Sequence, residues 1–124
     1  AERLREGAEA VGDGPESLRA LATLEADLRA ELLPHQAEEE QALYPAAARR
    51  LGGRDPMGPL IRMHAEIEAL CRRLASLLHL AEQQDGWNGA SAELRRTLFA
   101  LEALLTLHLA AEEEALAELA SEAR

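Results

Sequence analysis

Apolar residues recur at steps of three and four along most of the chain. One stripe carries Leu21, Leu24, Leu28, Leu32, His35, Glu39 and Leu43; a second carries Met57, Leu60, His64, Ile67, Cys71, Leu74 and Leu78. A third carries Leu94, Leu98, Leu101, Leu105, His108, Glu112, Ala115 and Leu119. That spacing is one buried face of an α-helix. It predicts three long helices: about Glu16 to Tyr44, about Met57 to Gln84, and from a cap at Ser91 to about Ser121. Gly12-Asp13-Gly14-Pro15, Gly52-Gly53-Arg54-Asp55-Pro56 and Asp85-Gly86-Trp87-Asn88-Gly89 are the turn signals between helices. Pro34 predicts a kink just before His35. Pro45 predicts a break, followed by a short Ala/Arg segment to Leu51. Ala1 to Val11 is also helical in pattern, with Leu4, Ala8 and Val11 on one face. It spans only roughly 16 Å against about 40–45 Å for the others. The expected fold is all-α: a single domain over residues 1–124, an up-down antiparallel four-helix bundle. Its first helix is short or truncated at the N-terminus, the remainder lying upstream of Ala1 or coming from another chain.

Composition strengthens the helical reading. In 124 residues, aromatics make up 2%, and Ala, Leu, Glu and Arg dominate over β-branched residues. The net charge of −10, with no basic cluster, argues against nucleic acid or an anionic membrane as partner. Cys71 is the only cysteine, so no intrachain disulfide can form and a cytoplasmic location is expected. No apolar run reaches the roughly 18–20 residues of a membrane span, and no signal peptide is visible. The absence of an initial Met points to a processed or trimmed N-terminus.

The candidate chemistry interrupts the seams. His-x-x-x-Glu occurs three times, as His35/Glu39, His64/Glu68 and His108/Glu112, and takes three of the four histidines. Residues four apart share a helix face, so each pair can aim a nitrogen and an oxygen at one point. Glu39 and Glu112 stand where the seam calls for Leu. A buried carboxylate costs several kcal/mol unless compensated, and a cation that also accepts neutral imidazole compensates it. The plainer reading is that each Glu hydrogen-bonds its neighbouring His near water. Two full pairs plus the seam residue His64 favour the metal. In an antiparallel bundle His35, His64 and His108 fall in one end layer. Glu68 flanks its seam and stays open between ligand, support for a ligand, and exposed residue. His79 falls off the seam and is expected on the surface. Cys71 reads as a core cysteine, and Tyr44 as packing at a helix end, though it is the only phenol near the site.

Three stretches resemble the haemerythrin-like (HHE cation-binding) family. They are His35-Gln-Ala-Glu-Glu39-Glu-Gln-Ala-Leu-Tyr44-Pro45, Met63-His64-Ala-Glu-Ile-Glu-Ala-Leu70 and His108-Leu-Ala-Ala-Glu112-Glu-Glu-Ala-Leu116. The resemblance runs from about Glu16 to the C-terminus and implies a non-haem di-iron centre. It makes His35, His64 and His108 terminal ligands, with Glu39 and Glu112 bridging the irons. The family also draws a His from its first helix, which has no counterpart here. Oxygen carriers of the family place a second His where Glu68 stands, and wall their pocket with aromatics that this chain lacks. The Glu makes the site more like the family's sensing, iron-handling or repair branches than a dedicated oxygen carrier.

The expected function is therefore a di-iron domain that binds or senses oxygen, nitric oxide or iron itself. A small diatomic ligand is the expected partner, together with a homodimer or a fused upstream segment. No nucleophile or acid/base dyad independent of the metal is visible, so any turnover would be metal-based. The alternative is a metal-free or zinc-binding helical interaction module whose acidic surface faces a basic partner.

Overall fold

The computed structural model describes residues 1–50 and 57–122. Among them every regular element is helical, with no strand. Four helical segments follow one another: α1 (Glu2–Ala10), α2 (residues 18–50), α3 (Met57–Glu82) and α4 (Gly86–Glu122). Each packs on its neighbour in the chain, and α1 closes the bundle against α4. The all-α bundle expected from the periodicity is what forms, with a short first helix. No described helix is long and apolar enough to cross a membrane. The loop expected over Gly52–Pro56 and the seam position of Leu119 lie outside what is described.

α2 departs from expectation at its second proline: Pro45 does not end the helix, which also continues through Pro34. Each proline follows a π-helical turn, Leu28–Leu32 and Glu39–Leu43. In these turns the N–H of Leu33 bonds to the Leu28 carbonyl, and that of Tyr44 to the Glu39 carbonyl. A proline ring clashes with the carbonyl four residues back and lacks the N–H that would bond to it. A widened i→i−5 turn just ahead of the ring relieves both problems while the chain stays helical. The helix then runs through Pro45 to Arg50.

α4 begins at Gly86, five residues before the expected cap at Ser91, which lies inside the helix. The turn is tighter than the five-residue breaker predicts. Asp85 adopts φ 59°, a left-handed conformation that Asp tolerates better than most residues. A Cβ on Gly86 would lie 1.9 Å from the Leu80 carbonyl oxygen. The α3–α4 hairpin therefore requires glycine there for a close backbone approach.

The core falls into two parts. The larger packs Leu4, Ala8, Leu21, Leu24, Ile67, Leu74, Leu94, Leu98 and Leu101 from all four helices. The smaller joins Tyr44, Ala47, Met57, Leu60 and Ala115 from α2, α3 and α4. Along α3, His64 separates Leu60 from Ile67; along α4, His108 separates Leu105 from Ala115. The candidate ligands thus form a polar layer between two apolar ones. The interior needs that layer compensated, because both flanks exclude water.

Candidate metal centre

Four side chains meet in this layer. Glu39 from α2, His64 from α3, and His108 and Glu112 from α4 each offer a donor atom, and all four atoms lie within 4.8 Å of one another. The two Nε2 atoms of His64 and His108 are 3.0 Å apart. His108 Nε2 lies 3.2 Å from Glu112 Oε2, and His64 Nε2 lies 3.5 Å from Glu39 Oε1. Both histidines are buried, at 4% and 2% exposure. Four of the five ligands expected from the sequence are therefore brought to one point.

The fifth, His35, stands apart. It is two-thirds exposed, with Nε2 3.8 Å from Glu39 Oε2, and it lines a groove of about 350 Å³ beside Ala1, Leu28, Leu32 and Leu105. The seam of α2 passes instead through Gln36, Glu39, Tyr44 and Ala47, all buried, while Leu43 is 38% exposed. The step of five from Glu39 to Tyr44 spans the π-turn of Glu39–Leu43. One extra residue in a turn rotates everything beyond it, so Tyr44 occupies the interior position expected for Leu43.

Two residues that sequence reasoning did not place in the site take part in it. Glu40 Oε1 lies 3.2 Å from His64 Nδ1. A carboxylate there keeps the proton on Nδ1 and leaves the Nε2 lone pair facing the other donors. The Glu38–Glu40 run was a visible signal, but an unbroken α-helix gives no reason for the second and third acids to face the same interior. Tyr44 is 1% exposed. Its hydroxyl donates to Glu112 Oε2 at 2.7 Å and lies 3.1 Å from His64 Nε2. Glu68, left open above, is an exposed residue paired with Arg72 at 3.0 Å, and His79 is exposed as expected. Cys71 is buried, and burial pushes its thiol up to about 11, which leaves it an inert core residue.

The electrostatics of the layer suit a cation. Burial holds both His64 and His108 below their ordinary value, so each is a neutral imidazole with a lone pair to give. Burial and the facing Glu112 carboxylate push Glu39 up to about 7. Burial would raise Glu112 as well, but hydrogen bonds from Glu39 and Tyr44, with the two histidines, hold it below its ordinary value. The carboxyl pair therefore keeps one proton close to neutrality, which a metal ion would displace. His108 Nδ1 is buried without a hydrogen-bond partner. Two neutral imidazoles and two carboxylates converging on one buried point fit a borderline or hard divalent or trivalent metal.

Removing the carboxylate behind His64 tests this arrangement. In Glu40→Ala the imidazole loses its orienting partner, and metal affinity should fall about ten- to a hundredfold, read by competition with a chromophoric chelator. An unchanged affinity would show that Glu40 does not support the site.

An all-helical bundle with such a layer in its interior is, by class, a cation-binding helical bundle. The sequence over nearly its whole length agrees. Residues 1–120 match the model of the hemerythrin HHE cation-binding domain, and the chain belongs to that family. Searches of curated proteins and of solved structures find no significant match. Metal-cation binding is what the family carries, and the buried His/Glu cluster is the place in this chain that could hold the ion.

Proposed function

We propose that this domain holds a non-haem di-iron centre and uses it to bind or sense a small ligand such as oxygen or nitric oxide, or iron itself. The observation that carries the reading is the disposition of Glu39. One carboxylate oxygen, Oε1, faces His64 at 3.5 Å, and the other, Oε2, faces His35 at 3.8 Å. A carboxylate with its two oxygens toward different imidazoles is disposed to bridge two ions. His64, His108, Glu39 and Glu112 would hold one ion; His35 and the second oxygen of Glu39 would begin the shell of the other. Hard oxygen donors with imidazoles suit iron. When bound, iron supplies an open position for a diatomic ligand; the chain supplies a dry, apolar-flanked layer around it. A cytoplasmic setting is part of the proposal, supported by a lone cysteine that can form no intrachain disulfide.

A second reading also has an observation behind it. The four clustered donors are the number a single tetrahedral zinc takes, and His35 stands outside them. Anaerobic loading with Fe(II), followed by air, separates the two readings. The di-iron reading expects about two irons per chain, with ligand-to-iron charge-transfer absorption in the near ultraviolet, and about one iron in His35→Ala. A single ion per chain in both proteins, or preference for zinc with no iron retained, would sink the di-iron reading.

A further inference from the structure

Beyond the four clustered donors, the layer also holds the only tyrosine of the chain. Tyr44 is more buried than Glu39, His64 or His108. Its hydroxyl lies 2.7 Å from Glu112 Oε2, 3.1 Å from His64 Nε2 and 3.5 Å from Glu39 Oε1. An end-packing tyrosine would turn its ring to the apolar cluster and its hydroxyl to water. Here the ring joins Ala47, Met57, Leu60 and Ala115, while the oxygen faces three candidate ligands at once.

Those distances have a geometric meaning. With metal–donor bonds of about 2.1 Å, neighbouring donors lie about 3.0 Å apart on an octahedron and about 3.4 Å apart on a tetrahedron. The His64–His108 and His108–Glu112 separations are 3.0 and 3.2 Å, and that between His64 and Glu39 is 3.5 Å. Two of the three separations to the Tyr44 oxygen, 3.1 Å to His64 and 3.5 Å to Glu39, fall in the same range, while the third, 2.7 Å to Glu112, is the shorter hydrogen bond that the phenol donates. The phenol oxygen is thus placed beside His64 and Glu39 at the separation of neighbouring ligands. The backbone puts it there by a specific device, the π-turn of Glu39–Leu43 that rotates Tyr44 inward in place of Leu43. π-Turns within α-helices are concentrated at functional sites.

We propose that Tyr44 is a direct metal ligand of this centre, binding the ion through its phenolate oxygen. The inference rests on the cluster being a metal site, but not on the metal being iron or on there being two. Coordination exchanges the phenol O–H bond for an O–metal bond, and the proton leaves to the medium. Phenolate, Glu39 and Glu112 would together present three anionic donors beside two neutral imidazoles, a set whose charge matches a trivalent ion. A ferric ion is therefore held more tightly than a ferrous one.

The test uses the fact that there is one tyrosine. The protein is loaded with Fe(II) anaerobically, oxidised, and read by visible absorption and resonance Raman. Phenolate ligation gives a visible phenolate-to-iron band. Its enhanced ring vibrations shift when the protein is grown on ring-deuterated tyrosine. Tyr44→Phe, which keeps the ring and its packing, should lose that band completely while retaining iron and its near-ultraviolet absorption. A wild-type ferric protein without phenolate vibrations would overturn the assignment and leave Tyr44 a hydrogen-bond donor to Glu112. If no iron is retained, the iron reading fails, and Tyr44 is judged with Zn(II) alone. The near-ultraviolet difference band of ionised tyrosine on zinc binding supports the ligand, and zinc binding without it overturns the ligand.

Discussion

His108→Ala takes up no metal ion at the buried layer and gains no stability from one. His108 Nε2 sits at the centre of the donor set, 3.0 Å from the His64 nitrogen and 3.2 Å from the Glu112 oxygen. Its removal leaves a hole that no neighbouring side chain fills, since the residues on either side along α4 belong to other faces. The wild-type protein, with metal at a thousandfold its dissociation constant, should be stabilised by about 4 kcal/mol, because an ion that binds only the folded chain stabilises it by mass action. The variant should show none of that shift. Denaturant unfolding with and without Fe(II) or Zn(II), together with metal analysis, makes the measurement. His79→Ala serves as a control on the surface of α3 and should behave as wild type. A full metal-dependent shift in His108→Ala would place the ion elsewhere, for instance on His35 and the acids around it.

Without metal, Glu39→Gln should be the more stable protein at high pH, by on the order of 3 kcal/mol. The sign follows from Glu39, whose carboxyl is raised from 4.5 to about 7 by burial and by Glu112. Below about 4.5 the group is protonated in both the folded and unfolded chain, and its contribution to stability is fully present. Between that value and about 7 the unfolded chain releases its proton while the folded one keeps it, so stability is lost as pH rises; above about 7 the loss is complete. Glutamine imitates the protonated carboxyl and does not titrate, so the variant escapes this loss. His64 and His108, both held below their ordinary value, contribute the opposite slope up to their unfolded value. They are present in both proteins and cancel in the comparison. The two proteins should therefore match near pH 4 and separate through neutrality. Added metal reverses the order, since the carboxylate is then compensated and its loss removes a ligand. Equal stability at pH 5 and pH 8 in both metal-free proteins would show that Glu39 is solvated in the metal-free fold.

The two experiments probe one trade. The buried layer costs the empty bundle stability, and an ion reverses the sign. Glu39 and Glu112 were visible in the sequence for that reason: each stands where a Leu seam predicts Leu, and a carboxylate in such a place calls for compensation. His64 and His108 were visible in the same way. Their convergence followed from the depths of the seams in an antiparallel bundle, which local periodicity is enough to determine. The surface position of His79 and the inert core position of Cys71 were legible by the same rule, as off-seam and on-seam residues.

Residues near the prolines could not be placed so. The periodicity assumes 3.6 residues in every turn, and two turns of α2 do not obey it. Pro34 and Pro45 each follow a widened turn, a response that depends on whether tertiary packing holds the helix together or lets it end. Because the packing of α2 on α3 and α4 holds it, Tyr44 swings inward, Leu43 outward, and Glu40 reaches His64 from the far side. His35, one residue out of the interior phase, is left beside the groove at Ala1. Side-chain spacing alone therefore determined the helical bundle and four of its interior donors. The rotation of α2 beyond Leu28, and with it the identity of the remaining groups around the ion, was decided only when the helix had neighbours to pack against.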